Sequence, residues 1–219
     1  MALYTEGATD NRFLPTIAQR TAQELLLRRA SQIVDVLPVQ LVRGVRAESR
    51  AEAILQAARQ SWGYQLLLIH SDADSRTAEA ALGDRIQPGL DLVAQQDDQT
   101  ALCRQMVPVV PVTMTEAWML ADAATLYRIL GTAQPNDSLE IPTSPAEIER
   151  LADPKEHLNQ ILRNASATRS RRRRKSRTVG QLYEPLGEQI NLAELSRLSA
   201  YQRFQADLET ALRTLNYFR

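Results

Sequence analysis

A single cysteine, Cys103, stands in a chain of 219 residues. It excludes an intrachain disulfide and a thiolate metal site, and it suits a reducing, cytosolic setting. Lysine is nearly as scarce, because only Lys155 and Lys175 interrupt an otherwise all-arginine set of 26 basic residues. No apolar stretch approaches the roughly 20 residues that a membrane-spanning helix needs. Glu6 follows closely on the first apolar residues, so the N-terminus lacks the basic-then-apolar layout of a secretory leader. No Gly-x-x-x-x-Gly-Lys-[Ser/Thr] loop is present, so an ATP-driven step would need a partner protein. There is no internal repeat and no net charge.

What is present is an alternation of strand and helix signals. A hydrophobic content of 44% fits one globular domain, or one domain with a helical appendage. Residues 2–5 read as a first strand, and the spacing of Leu14, Ile17, Ala18, Leu25 and Leu26 predicts a helix to about Arg29. Residues 33–42 are rich in β-branched side chains and read as a second strand, with Pro38 arguing for an edge or a bulge. A helix follows over 48–62. The run Leu66, Leu67, Leu68 and Ile69 marks a third, buried strand over 64–70. Ser75 or Thr77 then caps a short helix, and 83–99 has no clear period. Residues 107–112 read as a fourth strand, followed by a helix from Thr115 that Gly131 ends. This β-α order predicts a mostly parallel sheet covered by helices. After Gly131 a Pro-, Asn- and Ser-containing stretch leads into helical periods that run to residue 217.

Three acidic clusters sit where strands end. Glu6 and Asp10 follow the first strand, Asp72 and Asp74 the third, and Glu116 the fourth. Carboxylates at the C-terminal ends of parallel strands converge on one edge of the sheet. Gathered there they repel one another unless a divalent cation sits between them. Residues i and i+2 leaving a strand point the same way, so Asp72 and Asp74 are expected to share an ion. The simpler readings are a helix cap for Asp10, a solvated turn for Asp72 and Asp74, and a helix-dipole complement for Glu116. His70, two residues before Asp72, could touch the site, against the plainer reading of a strand-end histidine satisfied in the core; Trp118 reads as core, and Asp122 as an exposed helix carboxylate. A basic run, Arg171, Arg172, Arg173, Arg174 and Lys175, would suit a phosphate backbone, against the plainer alternative of a solvated loop.

The pattern Glu-Gly-x-Thr-Asp-x-x-Phe-Leu at residues 6–14, followed by a strand ending in Asp-x-Asp, resembles the TOPRIM domain. It is most similar to TOPRIM-like nucleases related to the overcoming-lysogenization-defect proteins. The segment Glu116-Ala117-Trp118-Met119-Leu120-Ala121-Asp122 resembles the third acidic motif of small stand-alone members, and the region 183–212 resembles their tails. The resemblance implies a TOPRIM-like α/β domain over 1–133 and a helical C-terminal extension over 134–219, with an arginine-rich loop at 168–178. It implies a Mg²⁺- or Mn²⁺-dependent nuclease with Glu6, Asp72 and Asp74 as catalytic residues. Glu6, Asp10, Asp72, Asp74 and Glu116 would be the metal carboxylates. Two cations would stabilise the attacking and leaving oxygens of a phosphodiester, with Glu6 as candidate base. Arg171 to Lys175 would hold nucleic acid, DNA in preference to RNA.

The resemblance also implies an ABC-type ATPase as partner in anti-phage defence or DNA repair, a cytoplasmic location and no membrane. It leaves a homo-oligomer open. Its relatives are expected to place a lysine near the scissile phosphate, which here means Lys155, Lys175 or a substituting arginine. Two other readings compete. One is an Asp-x-Asp phosphatase or phosphotransferase with Asp72 as nucleophile. The other is a non-catalytic subunit that binds nucleic acid or an ATPase.

Overall fold

Four short strands form one parallel sheet: β1 (Ala2–Tyr4), β2 (Gln40–Leu41), β3 (Leu67–His70) and β4 (Met106–Val109), in the order β2-β1-β3-β4. The computed structural model describes residues 1–74, 77–97, 99–131, 139–167 and 177–218. Around the sheet lie α1 (Leu14–Arg29), α2 (Arg50–Gln60), α3 (Ala78–Ala81), α4 (Gln87–Ala94), α5 (Glu116–Met119) and α6 (Ala123–Leu130). The C-terminal part adds α7 (Pro145–Glu149), α8 (Pro154–Ala167), α9 (Tyr183–Gln189), α10 (Leu192–Leu195) and α11 (Ser199–Thr214). This is an α/β architecture with an all-parallel sheet between helices, compatible with a TOPRIM-like domain.

Strand alternation sorts the apolar side chains onto two faces. Leu3, Leu68, Val107 and Val109 join the core that contains Phe13 and Ile17 of the α1 region. Ala2, Leu67 and Ile69 join Ile54, Ala57 and Ala58 of α2, with Ala81, Ile86 and Val93 behind them. Helices α1 and α2 therefore cover opposite faces. The chain leaves β1 toward β2 on one side and returns to β3 on the other. The crevice at the C-terminal ends of β1 and β3 is thus the switch point of the sheet, where α/β folds bind ligands.

The C-terminal helices do not stand apart from this sheet. Leu158, Leu186, Tyr201, Phe204 and Leu208 belong to the same core as Leu3, Leu68 and Val107. The ring of Trp118 meets Tyr201 edge-on at 5.2 Å between centroids, so Trp118 is core as expected. Arg20 of α1 donates to the carbonyls of Gly187 and Ile190 at 2.8 and 2.7 Å. The expected division near residue 133 falls outside the described residues, and the helices beyond it complete the sheet's own core.

Several elements differ from expectation for local reasons. The second strand shrinks from 33–42 to Gln40–Leu41, which pair with Ala2 and Leu3. Ile33 and Leu37 are exposed, and this edge has a partner on one side only. The featureless 83–99 stretch folds as a π-helical turn at Leu82–Ile86 that runs into α4. The helix expected from Thr115 to Gly131 is two helices. Asp122 is buried, not exposed, because its carboxylate accepts from the backbone N–H groups of Thr125 and Asn191, both at 2.9 Å. It thereby caps α6, which Gly131 ends at φ 68°. Thr77, not Ser75, is the described cap of α3. Among the described residues no helix is long and apolar enough to cross a membrane.

Candidate metal centre

Parallel pairing sets the level of each site residue. Tyr4 lies opposite Ile69, and Ile69 opposite Pro108. Glu6, two residues past Tyr4, therefore comes level with Ser71, two residues past Ile69. The Ser71 hydroxyl donates to Glu6 Oε1 at 3.0 Å, and the Asp72 N–H donates to Glu6 Oε2 at 3.3 Å. The acidic stretches after β1 and β3 are thus joined directly. Glu6 also faces two guanidinium groups, with Arg50 Nη2 and Arg85 Nη1 each 3.8 Å from it.

Beside Glu6 lies a group made of buried Asp10 and His70 and partly exposed Asp72, whose ligand atoms all fall within 4.8 Å of one another. Asp10 is not a helix cap. It opens a single 3₁₀ turn, Asp10–Arg12, and is 4% exposed. Burial raises its carboxyl above the ordinary range. His70 and a hydrogen bond from Thr115 pull the other way, while Asp72 adds to the rise. Gly7 makes room for Asp10, since a Cβ at Gly7 would lie 2.5 Å from Asp10 Oδ2.

His70 is fully buried, as a core histidine would be, yet it faces the acidic residues. Its Nε2 lies 3.2 Å from Asp72 Oδ1 and 3.2 Å from the Thr115 hydroxyl. An ionised carboxylate can only accept, so Nε2 carries the proton. Asp72 Oδ1 also accepts from the Thr115 N–H at 3.1 Å. On the other side of the ring, Nδ1 is buried without a hydrogen-bond partner and stands 3.8 Å from Asp10 Oδ2. Such a buried orphan is costly.

Asp74 does not share the surroundings of Asp72. The chain past His70 is no longer extended, and Asp74 adopts a left-handed φ of 52°. Its N–H donates to the carbonyl of Thr113 at 2.8 Å, and Thr113 is itself left-handed at φ 63°. Left-handed backbone is unfavourable for a β-branched residue, and such strain clusters at functional sites. The turn sends the Asp74 carboxylate to Arg85, whose Nη2 donates to it at 2.5 Å while Nη1 donates to the Asp72 carbonyl at 2.8 Å. Hydrogen bonding to Asp74 raises the Arg85 pKa despite partial burial.

Glu116 opens α5 and is 5% exposed. It accepts from the Tyr183 hydroxyl of α9 and lies 3.7 Å from Lys155 Nζ of α8. Burial and the hydrogen bond to Glu116 raise the Tyr183 phenol. Thr115 spends its side chain on His70 instead of capping α5.

The five expected carboxylates thus reach one edge of the sheet, but they divide by partner. Asp10 and Asp72 flank His70, Glu6 and Asp74 meet arginine, and Glu116 meets lysine and tyrosine. Arg171, Arg172, Arg173, Arg174 and Lys175 lie outside the described residues. His70, Arg50, Arg85 and Tyr183 were not among the expected site residues. A histidine two residues before Asp-x-Asp is a visible signal. Arg85 sits in the featureless stretch and offers none.

The donor set fits a divalent cation. Two ligand atoms on one such ion, at bonds of roughly 2.0–2.2 Å, lie about 3–4 Å apart, somewhat closer than the 4.8 Å within which these three residues fall. Two carboxylates and an imidazole suit Mn²⁺, which accepts oxygen and nitrogen, and the orphaned Nδ1 is the atom such an ion would satisfy. No protein-family model, curated protein or solved structure matches this chain.

Proposed function

We propose that the protein is a metal-dependent nuclease that hydrolyses nucleic-acid phosphodiester bonds at the C-terminal edge of β1 and β3. The observation that carries this reading is the meeting of Glu6, Asp10, His70 and Asp72, from two separate stretches of chain, at the switch point of the sheet. Asp10 and His70 Nδ1 would hold Mn²⁺ or Mg²⁺, with Asp72 orienting the ring from the other side. When bound, the cation supplies Lewis-acid stabilisation of charge on a phosphate oxygen.

The chain's own residues supply the rest. Glu6 is the partly exposed carboxylate of the group, held by Ser71 and the Asp72 N–H, and is placed to take a proton from an attacking water. Asp72 fixes the His70 ring through Nε2. Arg50 and Arg85 border the carboxylates with forked donors that match phosphate geometry. Lys155, half exposed beside Glu116, is the described lysine at this edge and takes the role of the phosphate-contacting lysine. The basic run at Arg171 to Lys175 would add sequence-independent contacts to the nucleic-acid backbone.

The association with an ABC-type ATPase, in anti-phage defence or DNA repair, rests on the TOPRIM-like motif at residues 6–14 and is part of the same proposal. The test is conversion of supercoiled plasmid in Mg²⁺ or Mn²⁺ by wild type, Glu6→Ala and Asp72→Ala, each with and without that ATPase. Metal-dependent cleavage lost in both variants supports the reading. Equal rates in all three proteins refute it.

A further inference from the structure

Five carboxylates at one sheet edge suggest room for two divalent cations, but their partners argue otherwise. Glu6 lies 3.8 Å from both Arg50 and Arg85. Asp74 is paired with Arg85 at 2.5 Å. Glu116 is paired with Lys155 at 3.7 Å and holds the Tyr183 hydroxyl. Among the described residues, no arginine or lysine forms an ion pair with Asp10 or Asp72. These two flank His70 instead, Asp10 facing Nδ1, which has no hydrogen bond, and Asp72 bonding Nε2.

We infer that this centre takes one divalent cation, at Asp10 and His70 Nδ1 with Asp72 holding the ring from Nε2, and that the guanidinium of Arg85 occupies the place of a second. The inference rests on the metal-dependent reading above. Carboxylates crowded at one edge repel unless positive charge lies among them. At the Glu6–Asp74 side that charge is already present and firmly held. Arg85 spans Glu6, Asp74 and the Asp72 carbonyl with both terminal nitrogens. It projects from the π-helical turn Leu82–Ile86, a geometry found often at functional sites because the extra residue re-aims a side chain. A cation entering beside Asp74 would have to break those charge-assisted bonds, whereas one at Asp10 and His70 displaces no paired arginine or lysine and would satisfy Nδ1. The guanidinium remains positive at any working pH, so it can stabilise charge on a phosphate without being loaded from solution.

The test is Mn²⁺ titration of the full chain, with free ion followed by electron paramagnetic resonance. Wild type is expected to take up one Mn²⁺ per chain, with electron spin-echo modulation from a directly bound ¹⁴N. Arg85→Gln, which removes the cation, is expected to take up two. Arg85→Lys, which keeps the charge, is expected to stay at one. His70→Asn is expected to lose at least about 10-fold in affinity for the first ion. Two ions on wild type, one ion on Arg85→Gln, or no nitrogen modulation overturns the inference while leaving metal-dependent cleavage standing. No Mn²⁺ uptake at all overturns both.

Discussion

Asp10 Oδ2 and His70 Nδ1 face each other across 3.8 Å in the interior, and that nitrogen has no hydrogen bond. The arrangement is held from every side. Nε2 of the same ring is fixed by Asp72 and Thr115, and the His70 carbonyl accepts from Arg50 at 2.5 Å. Arg50 in turn lies over the Tyr4 ring, 4.8 Å from its centroid.

Asp10 gives a pH signature. Its folded pKa is raised by burial above the unfolded value, so the folded protein binds its proton more tightly. The resulting stability is fully present below the ordinary carboxylate range and is lost as pH rises through the raised folded pKa. Asp10→Asn keeps the neutral form at every pH. Without metal, its Tm is expected to exceed that of wild type at pH 7, and the gap to close on acidification. At this chain length each kcal/mol reads as roughly 2–4 °C. Excess Mn²⁺ is expected to reverse the order, raising wild type alone by about 2.7 kcal/mol at 100 times Kd. Melting curves across pH 4–8, with and without Mn²⁺, check both halves.

Gly7→Ala should separate ion binding from folding. The new Cβ would lie 2.5 Å from Asp10 Oδ2, so the carboxylate must move. The expected loss is about 10-fold or more in Mn²⁺ affinity, with about 1–3 kcal/mol of stability from overpacking. Titration calorimetry and urea unfolding of the same variant measure the two.

The C-terminal helices should be indispensable to the sheet. Trp118 is 1% exposed and touches Tyr201 and Phe204 of α11. Trp118→Ala is expected to cost about 3–5 kcal/mol. Tyr201→Phe loses the 2.7 Å bond to the Thr21 hydroxyl and should cost about 1 kcal/mol. A fragment ending at residue 133 is expected not to give a cooperative urea transition, because the core on the α1 face would lose the C-terminal helices that complete it.

Asp122 should matter most away from acid. Burial pushes its carboxyl up, but the N–H and hydroxyl of Thr125, the N–H of Asn191 and the charge of Arg128 together hold it below the ordinary range. A lowered folded pKa contributes stability above the unfolded value that is lost as pH falls through the folded one. Asp122→Ala, leaving both N–H groups without their acceptor, is expected to cost about 1–3 kcal/mol near neutrality. The cost should shrink toward pH 3. Denaturant curves at pH 3 and pH 7 test the sign.

Much of this architecture is legible in the chain. The run Leu66 to Ile69, bounded by turn signals, reads as a strand buried on both faces, and Glu6 and Asp72 follow their strands closely enough for topology alone to bring them together. Less visible is anything set by backbone turns. The left-handed Asp74 pairs its carboxylate with Arg85 while that of Asp72 meets His70, which simple strand alternation cannot foresee. The π turn that aims Arg85 lies in a stretch without period. Residues 33–42 look like a strand because β-branching reports propensity, whereas pairing also needs a neighbour. The role of His70 depends on which ring nitrogen finds a partner, and only the packed site reveals that.

Crystals grown with Mn²⁺ and measured at the manganese absorption edge test the central claim most directly. The account predicts an anomalous peak between Asp10 and His70 Nδ1, with Asp72 still on Nε2 and the Arg85 guanidinium still on Asp74. A saturated crystal with no peak there, or with its only peak elsewhere on the chain, contradicts it.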